Sequence, residues 1–295
     1  MPVRPISSLS TSTSTSGALS ATVVALRRAG CVFAEDEARL LHEAAASVEE
    51  LSFLVERRAA GLPLEHVLGW ADFHGRRFAV DAGVFVPRRR TEFLVARAAA
   101  LAPRRAVVVD LCCGSGALGV ALASAADTAE LHACDVEPAA VRCARRNVGD
   151  LGHVYEGDLF APLPATLRGR VDVLLANVPY VPTGDVELLP AEARIHEPRV
   201  ALDGGDDGLD VMRRVAAEAP QWLAPGGSLL VEASERQRDT AVAVLRAAGL
   251  SPRVLVSEEL YATVLVGTVP VGAAEQPGIP PWGDLAAAPN PPAQD

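Results

Sequence analysis

The sequence predicts an α/β fold whose centre is a mostly parallel sheet of seven strands, covered by helices on both faces. Short apolar segments alternate with helical segments from residue 106 to residue 268, and helices of this length connect parallel strands. The chain has 295 residues, of which 49% are hydrophobic, so it can bury a sizeable core. Polar residues close several strands, and ligands bind beyond such strand ends in parallel sheets.

The individual elements of this sheet domain follow from the apolar pattern. Residues 171–177 begin as an uninterrupted apolar run, which is typical of a strand buried on both faces. The seven strand candidates are residues 107–110, 131–135, 154–158, 171–177, 228–232, 253–256 and 263–268. The clearest helices between them are residues 138–148, 209–223 and 236–248.

A small helical unit precedes the sheet domain. Residues 21–66 show helical periodicity, and Gly30 and Gly61 mark helix ends, so we expect two or three helices there. Residues 67–85 are predicted to form a linker that contains a β-hairpin. The sheet domain then spans residues 86–269.

Both ends of the chain are expected to be disordered. Residues 1–20 are rich in serine and threonine and lack the apolar core of a signal peptide, which predicts a disordered leader. Residues 270–295 are rich in proline, alanine and glycine and offer little to bury, which predicts a disordered tail. The folded part of the chain is therefore expected between residues 21 and 269.

The charge and composition disfavour nucleic acid and membranes as partners. The chain carries 27 basic residues, all arginine, against 37 acidic residues, which gives a formal net charge of −10. Such a chain does not bind nucleic acid mainly through phosphates, and its 4% aromatic residues are few for base stacking. The sequence contains no apolar stretch of the roughly 18 to 20 residues that a membrane span requires.

The cysteines and histidines predict neither a disulfide framework nor a metal site. The five cysteines are odd in number and irregularly spaced, which fits small buried thiols in a reducing compartment. The six histidines lack the spacing of metal ligands. We therefore expect a cytoplasmic protein without a bound metal.

A glycine-containing loop after the first strand of the sheet is suited to a ligand. Glycine lets the backbone turn sharply and approach a ligand, and the following helix presents its N-terminus there. An ordinary tight turn between strand and helix is the alternative. The G-x-G-x-x-G spacing of dinucleotide-binding proteins is absent, since Cys112 stands at the first glycine position, and this favours a ligand without a pyrophosphate. The candidate cofactor-binding residues of the loop are Asp110, Cys112, Cys113, Gly114, Ser115 and Gly116.

Two acidic residues at later strand ends indicate that this ligand contains a nucleoside. Asp135 lies about 20 residues beyond the loop, where a carboxylate can accept both ribose hydroxyls. Asp158 closes the third strand and is placed for an adenine amino group, with Leu159 beside it as an apolar wall. Each aspartate taken alone fits a helix N-cap equally well. Together with Asp110 and Asn177 they end four successive strands, which capping alone does not explain.

The tetrapeptide Asn177-Val178-Pro179-Tyr180 is suited to holding a planar NH2 group. The Asn177 side-chain oxygen and the Val178 carbonyl can accept the two N–H protons. That arrangement turns the nitrogen lone pair towards an electrophile, and the Tyr180 ring offers a flat packing surface. A strand followed by a simple proline turn is the alternative for this segment. The candidate catalytic residues are therefore Asn177, Val178, Pro179 and Tyr180, and Asn177 also borders the cofactor site.

These motifs, in this order, resemble the S-adenosyl-L-methionine-dependent methyltransferases that methylate the side-chain amide nitrogen (N5) of glutamine. The best-known members of that family act on peptide-chain release factors. The resemblance runs from about residue 62 to residue 267. It is carried by residues 69–78, 86–92, 110–116, Asp135, 157–160, 177–180, 196–199, 204–209 and 225–227.

The resemblance implies a Rossmann-like methyltransferase domain with S-adenosyl-L-methionine as its cofactor. It also implies that the helical unit at residues 21–66 helps to recognise the substrate, a protein with a target glutamine such as a release factor. The reaction expected is a direct in-line methyl transfer, in which the protein positions the amide and stabilises charge.

Several departures from the family pattern indicate a divergent branch. The usual signature is Asn-Pro-Pro-Tyr, and here Val178 replaces the first proline while still supplying a carbonyl. Cys112 replaces a glycine, and the glycine-rich segment after Glu232 is altered. Two alternatives therefore stay open. One is an N-methyltransferase for an exocyclic amine of a nucleobase or small molecule, and the other is a catalytically impaired homologue that only binds the cofactor.

Overall fold

The computed structural model describes residues 11–271; the predicted leader up to residue 10 and the predicted tail from residue 272 lie outside the described residues. The helices are α1 (Thr11–Arg28), α2 (Ala34–Ala44), α3 (Val48–Ala59), α4 (Leu64–Leu68), α5 (Glu92–Leu101), α6 (Ala117–Ala125), α7 (Pro138–Val148), α8 (Ala191–His196), α9 (Asp210–Trp222) and α10 (Arg238–Ala247). The strands are β1 (Trp70–Phe73), β2 (Arg76–Ala79), β3 (Ala106–Leu111), β4 (Thr128–Asp135), β5 (His153–Glu156), β6 (Val171–Ala176), β7 (Leu223–Glu232), β8 (Ser251–Ser257) and β9 (Ala262–Thr268).

Strands β3–β9 form one seven-stranded sheet in the order β5-β4-β3-β6-β7-β9-β8, which confirms the predicted fold class. The pairs from β5 to β7 are parallel, whereas β9 runs antiparallel to both of its neighbours. The chain moves outwards from β3 to β5 and then returns to place β6 on the other side of β3. This change of direction creates a crevice at the carboxyl ends of β3 and β6, where open α/β sheets bind ligands.

The central strands are apolar throughout because both faces of the sheet are covered. Every residue of β3 is buried. Alternate side chains point to opposite faces of a strand, so Val107 and Val109 join one hydrophobic core whereas Val108 joins the other. On one face, α9 contributes Met212 and Trp222 to the first core. The buried strand pattern read from the sequence is therefore explained by two helical layers.

The N-terminal unit is more helical than the sequence predicts. Within the described residues it contains α1–α4, and α1 begins at Thr11, inside the segment predicted to be a disordered leader. Leu19 and Val23 of this helix pack against a separate hydrophobic core. This tertiary packing offsets the low helix propensity of the serine- and threonine-rich start, which is why the sequence pattern missed it. The two strands β1 and β2 then form the predicted antiparallel hairpin.

A buried arginine connects two helices of this unit with each other and with the sheet domain. Arg58 of α3 is 6% exposed and donates from Nε to Glu37 Oε2 of α2 at 2.6 Å. Its Nη1 donates to Glu192 Oε1 of α8 at 2.6 Å and to the Leu62 carbonyl at 3.0 Å. The guanidinium therefore joins α2, α3 and α8 at one point, and the hydrogen bonds to the carboxylates raise its pKa despite burial.

Among the helices of residues 11–271, none combines the length and the apolar character needed to cross a membrane.

We expect Arg58→Ala to lower the free energy of unfolding by roughly 3 to 5 kcal/mol, because it leaves the Glu37 carboxylate buried without a partner. Urea unfolding followed by circular dichroism measures this change.

Arg57→Ala is the matched control on the same helix. The Arg57 guanidinium lies 5.6 Å from the centre of the Phe53 ring and is partly exposed, so its removal should cost at most about 1 kcal/mol. Equal losses in the two variants would show that the Arg58 ion pair does not stabilise the fold.

Candidate active site

A cavity of about 370 Å³ opens at the carboxyl ends of β3, β4 and β6. This volume lies in the range of small-molecule sites, roughly 300 to 1,000 Å³. Its lining combines residues that the sequence predicts for two different ligands: Cys112, Gly114 and Asp135 from the candidate cofactor site, and Asn177, Val178, Pro179 and Tyr180 from the candidate amide site. The fold therefore brings the two predicted groups of residues to one space.

A smaller cavity of about 20 Å³ adjoins the first. Cys112, Gly114 and Asn177 line both cavities, and Asp110, Cys113 and Ser115 line the smaller one. The glycine loop thus forms the floor between them.

Three predicted residues lie outside the lining of both cavities in the described part of the chain. Gly116 is the N-cap residue of α6, where an added Cβ would meet Val148 Cγ2 at 3.2 Å, so this glycine allows the start of α6 to pack on α7. The Asp158 carboxylate is exposed and accepts a hydrogen bond from Arg214 at 2.6 Å. Leu159 is buried in the hydrophobic core. Strand β5 ends before Asp158, and the Asp158 side chain contacts α9. The contact of Asp158 with adenine therefore stays a prediction.

Asp135 holds the glycine loop against the end of β4. Its Oδ2 accepts the Gly114 N–H at 2.8 Å, and its Oδ1 accepts the Glu137 N–H at 2.9 Å. Burial raises the pKa of Asp135, and these backbone hydrogen bonds oppose that rise. Since each carboxylate oxygen has two lone pairs, Asp135 can still accept hydroxyl groups from a ligand in the cavity.

Cys112 adopts a backbone conformation that favours glycine. Its φ is +53°, in the left-handed region that non-glycine residues rarely occupy. Such a conformation costs about 1 to 3 kcal/mol and persists only where the surrounding structure enforces it. The left-handed φ explains why a glycine is expected at this position, and it turns the Cys112 side chain towards both cavities.

Asp110 is a buried carboxylate with one oxygen free of protein partners. It is 1% exposed, and its Oδ2 accepts the Gly119 N–H of α6 at 2.8 Å. Its Oδ1 is buried with no hydrogen-bond partner, and the residue borders the smaller cavity. Burial raises the pKa of Asp110 to about 7, against the opposing effect of the Gly119 hydrogen bond.

Hydrogen bonds from other segments of the chain hold the end of the tetrapeptide in place. The Tyr180 hydroxyl contacts Glu232 Oε1 at 3.1 Å and also the Arg90 guanidinium. The Tyr180 carbonyl accepts from Gln237 Nε2 at 2.8 Å. Burial and the Glu232 charge raise the pKa of Tyr180 to about 12, so its phenol is neutral and acts as a packing surface. Gln237 belongs to the altered segment after Glu232, which therefore still supports the site.

A glycine-rich loop after α8 packs directly on the tetrapeptide backbone. Gly204 donates its N–H to the Val181 carbonyl at 2.8 Å, and an added Cβ would lie 2.6 Å from the Pro179 carbonyl oxygen. Gly208 has a φ of +77°, and a Cβ there would lie 2.2 Å from the Tyr180 carbonyl oxygen. No side chain fits at either position, so these glycines permit the close approach.

Sequence reasoning missed part of the cavity wall as part of the site. Phe85, Arg88 and Arg90 line the cavity, together with residues of α8 and the segment that follows it. Arg88 Nη2 donates to both oxygens of the buried Glu197 at 2.6 Å, which joins the two segments. In the sequence, residues 86–92 contribute only to the resemblance. Their concentration of arginines is the signal that could have assigned them to the site.

Among residues 11–271, no cluster of histidine, cysteine, aspartate and glutamate has the arrangement of a metal site.

Comparison with known proteins finds similarity to methyltransferases. Residues 76–206 match the family model of the methyltransferase small domain. A ribosomal protein L11 methylase from Lactobacillus delbrueckii subsp. bulgaricus has a similar structure, with a TM-score of 0.46 and 13% sequence identity over 62% of this chain and 80% of that one.

Proteins that are similar in sequence identify a narrower family than the methyltransferase small domain does. A release factor glutamine methyltransferase of Geobacter sulfurreducens is 41% identical over 66% of this chain and 69% of its own length. One from Deinococcus radiodurans is 38% identical over 76% of this chain and 87% of its own length. The chain belongs to the release factor glutamine methyltransferase family, which confirms the resemblance seen in the sequence.

The raised pKa of Asp110 predicts that its charge destabilises the fold as pH increases. Between about pH 4 and pH 7 the unfolded protein has lost this proton while the folded protein retains it, so the free energy of unfolding falls. Asp110→Asn removes this titration. We expect the stability of the variant relative to wild type to rise across that window, by up to roughly 1.4 kcal/mol per pH unit.

Urea unfolding of the cofactor-free proteins at several pH values from 4 to 8 measures the difference. Asp150→Asn is the control, since Asp150 is exposed. A stability difference for Asp110→Asn that is constant with pH would contradict the assigned titration.

Proposed function

We propose that the protein transfers a methyl group from S-adenosyl-L-methionine to the side-chain amide nitrogen of a glutamine in a peptide-chain release factor. The observation that carries this proposal is the shared cavity, in which Asn177 lies beside both the glycine loop and the Tyr180 ring. The names of the relatives in the same family support the substrate.

The residues at the carboxyl ends of β3 and β4 suit this cofactor. Asp135 would accept the ribose hydroxyls, and the glycine loop would allow close approach of the nucleoside. The unpartnered Oδ1 of Asp110 would meet the positively charged amino group of the cofactor across the smaller cavity. When bound, the cofactor supplies a methyl group on an electrophilic sulfonium.

The tetrapeptide would activate an otherwise poor nucleophile. An amide nitrogen is unreactive because its lone pair is delocalised into its carbonyl. The Asn177 side-chain oxygen and the Val178 carbonyl would accept its two N–H groups, which orients the lone pair and favours a pyramidal nitrogen. The nitrogen becomes positively charged as it accepts the methyl group, and the two oxygens stabilise that charge until a proton leaves.

The helical unit α1–α4 is proposed to bind the protein substrate. Its Arg58 reaches Glu192 of α8, and Glu192 also lines the cavity. A protein that bound to the helical unit would therefore lie next to the opening of the cavity. The net charge of −10 favours such a protein substrate over a nucleobase within a nucleic acid.

Asp135→Ala tests the cofactor site. We expect the variant to bind S-adenosyl-L-methionine about 1.5 to 3 kcal/mol more weakly, because hydrogen bonds to a charged group are lost. Isothermal titration calorimetry measures the change, with NAD and ATP as competitors that should fail. Asp150→Ala is the exposed control and should bind like wild type. An affinity that does not depend on Asp135 would contradict the assignment.

Asn177→Ala tests the catalytic site. We expect turnover to fall by roughly 100-fold or more, the scale of losing one preorganised polar contact in a transition state. Cofactor affinity should change far less, and folding should persist since Asn177 lies beyond the end of β6.

The assay follows methylation of a purified release factor, with the modified residue located by mass spectrometry. The same factor with its target glutamine replaced by glutamate is the negative control. Methyl transfer to a nucleobase or small amine in place of glutamine would favour the alternative acceptor, and unchanged activity of Asn177→Ala would place the chemistry elsewhere.

A further inference from the structure

The carboxylate of Glu232 is buried at the end of β7, next to the candidate active site. The residue is 3% exposed, which is unusual for a glutamate unless its charge is paired. Its Oε1 accepts from Arg90 Nε at 2.7 Å, and its Oε2 accepts from Thr91 Oγ1 at 2.7 Å. The Tyr180 hydroxyl is a third partner, 3.1 Å from Oε1.

These contacts join three segments that are far apart in the sequence. Tyr180 belongs to the candidate catalytic tetrapeptide, and Arg90 lines the cavity next to it. Glu232 itself lies outside the lining of both cavities in the described residues, so it does not touch a ligand there. Its effect on a bound amide therefore has to pass through Tyr180 and Arg90.

The two partners of the Tyr180 hydroxyl determine towards which of them its proton points. The Arg90 guanidinium can only donate, so the hydroxyl accepts from Arg90 and donates to Glu232. Gln237 holds the carbonyl of the same residue at 2.8 Å. Tyr180 is thus held at its hydroxyl and at its backbone carbonyl.

We infer that Glu232 is a positioning residue for the methyl transfer: through the Tyr180 hydroxyl and Arg90 it holds the Tyr180 ring at the angle that aligns the acceptor amide. This inference rests on the proposed function of the tetrapeptide. A ring that can tilt lets the amide nitrogen drift from the line of attack, and a displacement of about 1 Å can cost as much as 100-fold in rate.

A glutamine at position 232 would disturb this arrangement without changing the shape of the side chain. An amide carries no charge to balance Arg90, and its NH2 group would face the donors Arg90 or Thr91. Glu232→Gln should therefore lower kcat by roughly tenfold or more. The KM for the cofactor should stay within about twofold of wild type, because Glu232 is not part of the nucleoside site.

A double-mutant cycle with Tyr180→Phe tests whether Glu232 acts through the hydroxyl. Phenylalanine keeps the ring but removes the group that Glu232 holds. Glu232→Gln should lower kcat much less in the Tyr180→Phe background than in wild type, whereas its loss of stability should be similar in both, since the charge and one contact to Arg90 or Thr91 are lost in both. Equal kinetic effects in the two backgrounds would overturn the inference.

One control and two comparisons with variants already described make the outcome unambiguous. Glu130→Gln removes another ion-paired glutamate, which lies 2.7 Å from Arg170 at the start of β4, and should leave activity unchanged. If Glu232→Gln fails to fold, Tyr180→Phe alone decides, because an unchanged kcat would show that the hydroxyl contacts are irrelevant. Asn177→Ala separates the two proposals: full activity of this variant refutes the proposed function, whereas an inactive Asn177→Ala with an additive cycle refutes only the role of Glu232.

Discussion

The parallel pairing of β3 with β6 is the contact on which the rest of the site depends. Asp110 lies opposite Leu175, and Leu111 lies opposite Ala176, so the two strands end side by side. The glycine loop after β3 and the tetrapeptide after β6 then share one edge of the sheet. Since β3 and almost all of β6 are buried, a slip in register would misplace side chains in the cores on both faces of the sheet, so the packing of the cores maintains the position of the site.

Arginine–carboxylate pairs with at least one buried partner connect the walls of the cavity to the rest of the molecule. The pairs are Arg58 with Glu37 and Glu192, Arg88 with Glu197, and Arg90 with Glu232. Each joins segments that are distant in the sequence, and the planar guanidinium donates to more than one oxygen at a time. An acidic chain without lysine thus uses its arginines to define the cavity. Removing the arginine from one of these pairs leaves a buried carboxylate without its partner charge. The pairs therefore restrict how the segments around the cavity can be arranged.

The departures from the family pattern have physical explanations in the structure. Cys112 occupies a left-handed conformation that glycine would adopt at lower cost, so the loop keeps its shape against local strain. Val178 is 2% exposed and packs in the core of the sheet domain. Gln237, in the altered segment after Glu232, donates two side-chain hydrogen bonds, to the carbonyls of Tyr180 and Asp207. The altered segment therefore holds the backbone of the tetrapeptide.

The sequence alone predicts the parallel sheet, the glycine loop, Asp135 and the residues of the tetrapeptide, because apolar runs and polar strand ends are local signals. The start of α1 at Thr11 and the ion pair of Asp158 with Arg214 become visible only in the tertiary structure. The same holds for the contact between Glu232 and Tyr180, which lie 52 residues apart in the chain. Such contacts depend on how strands and loops meet in three dimensions, and no periodicity in the sequence records them.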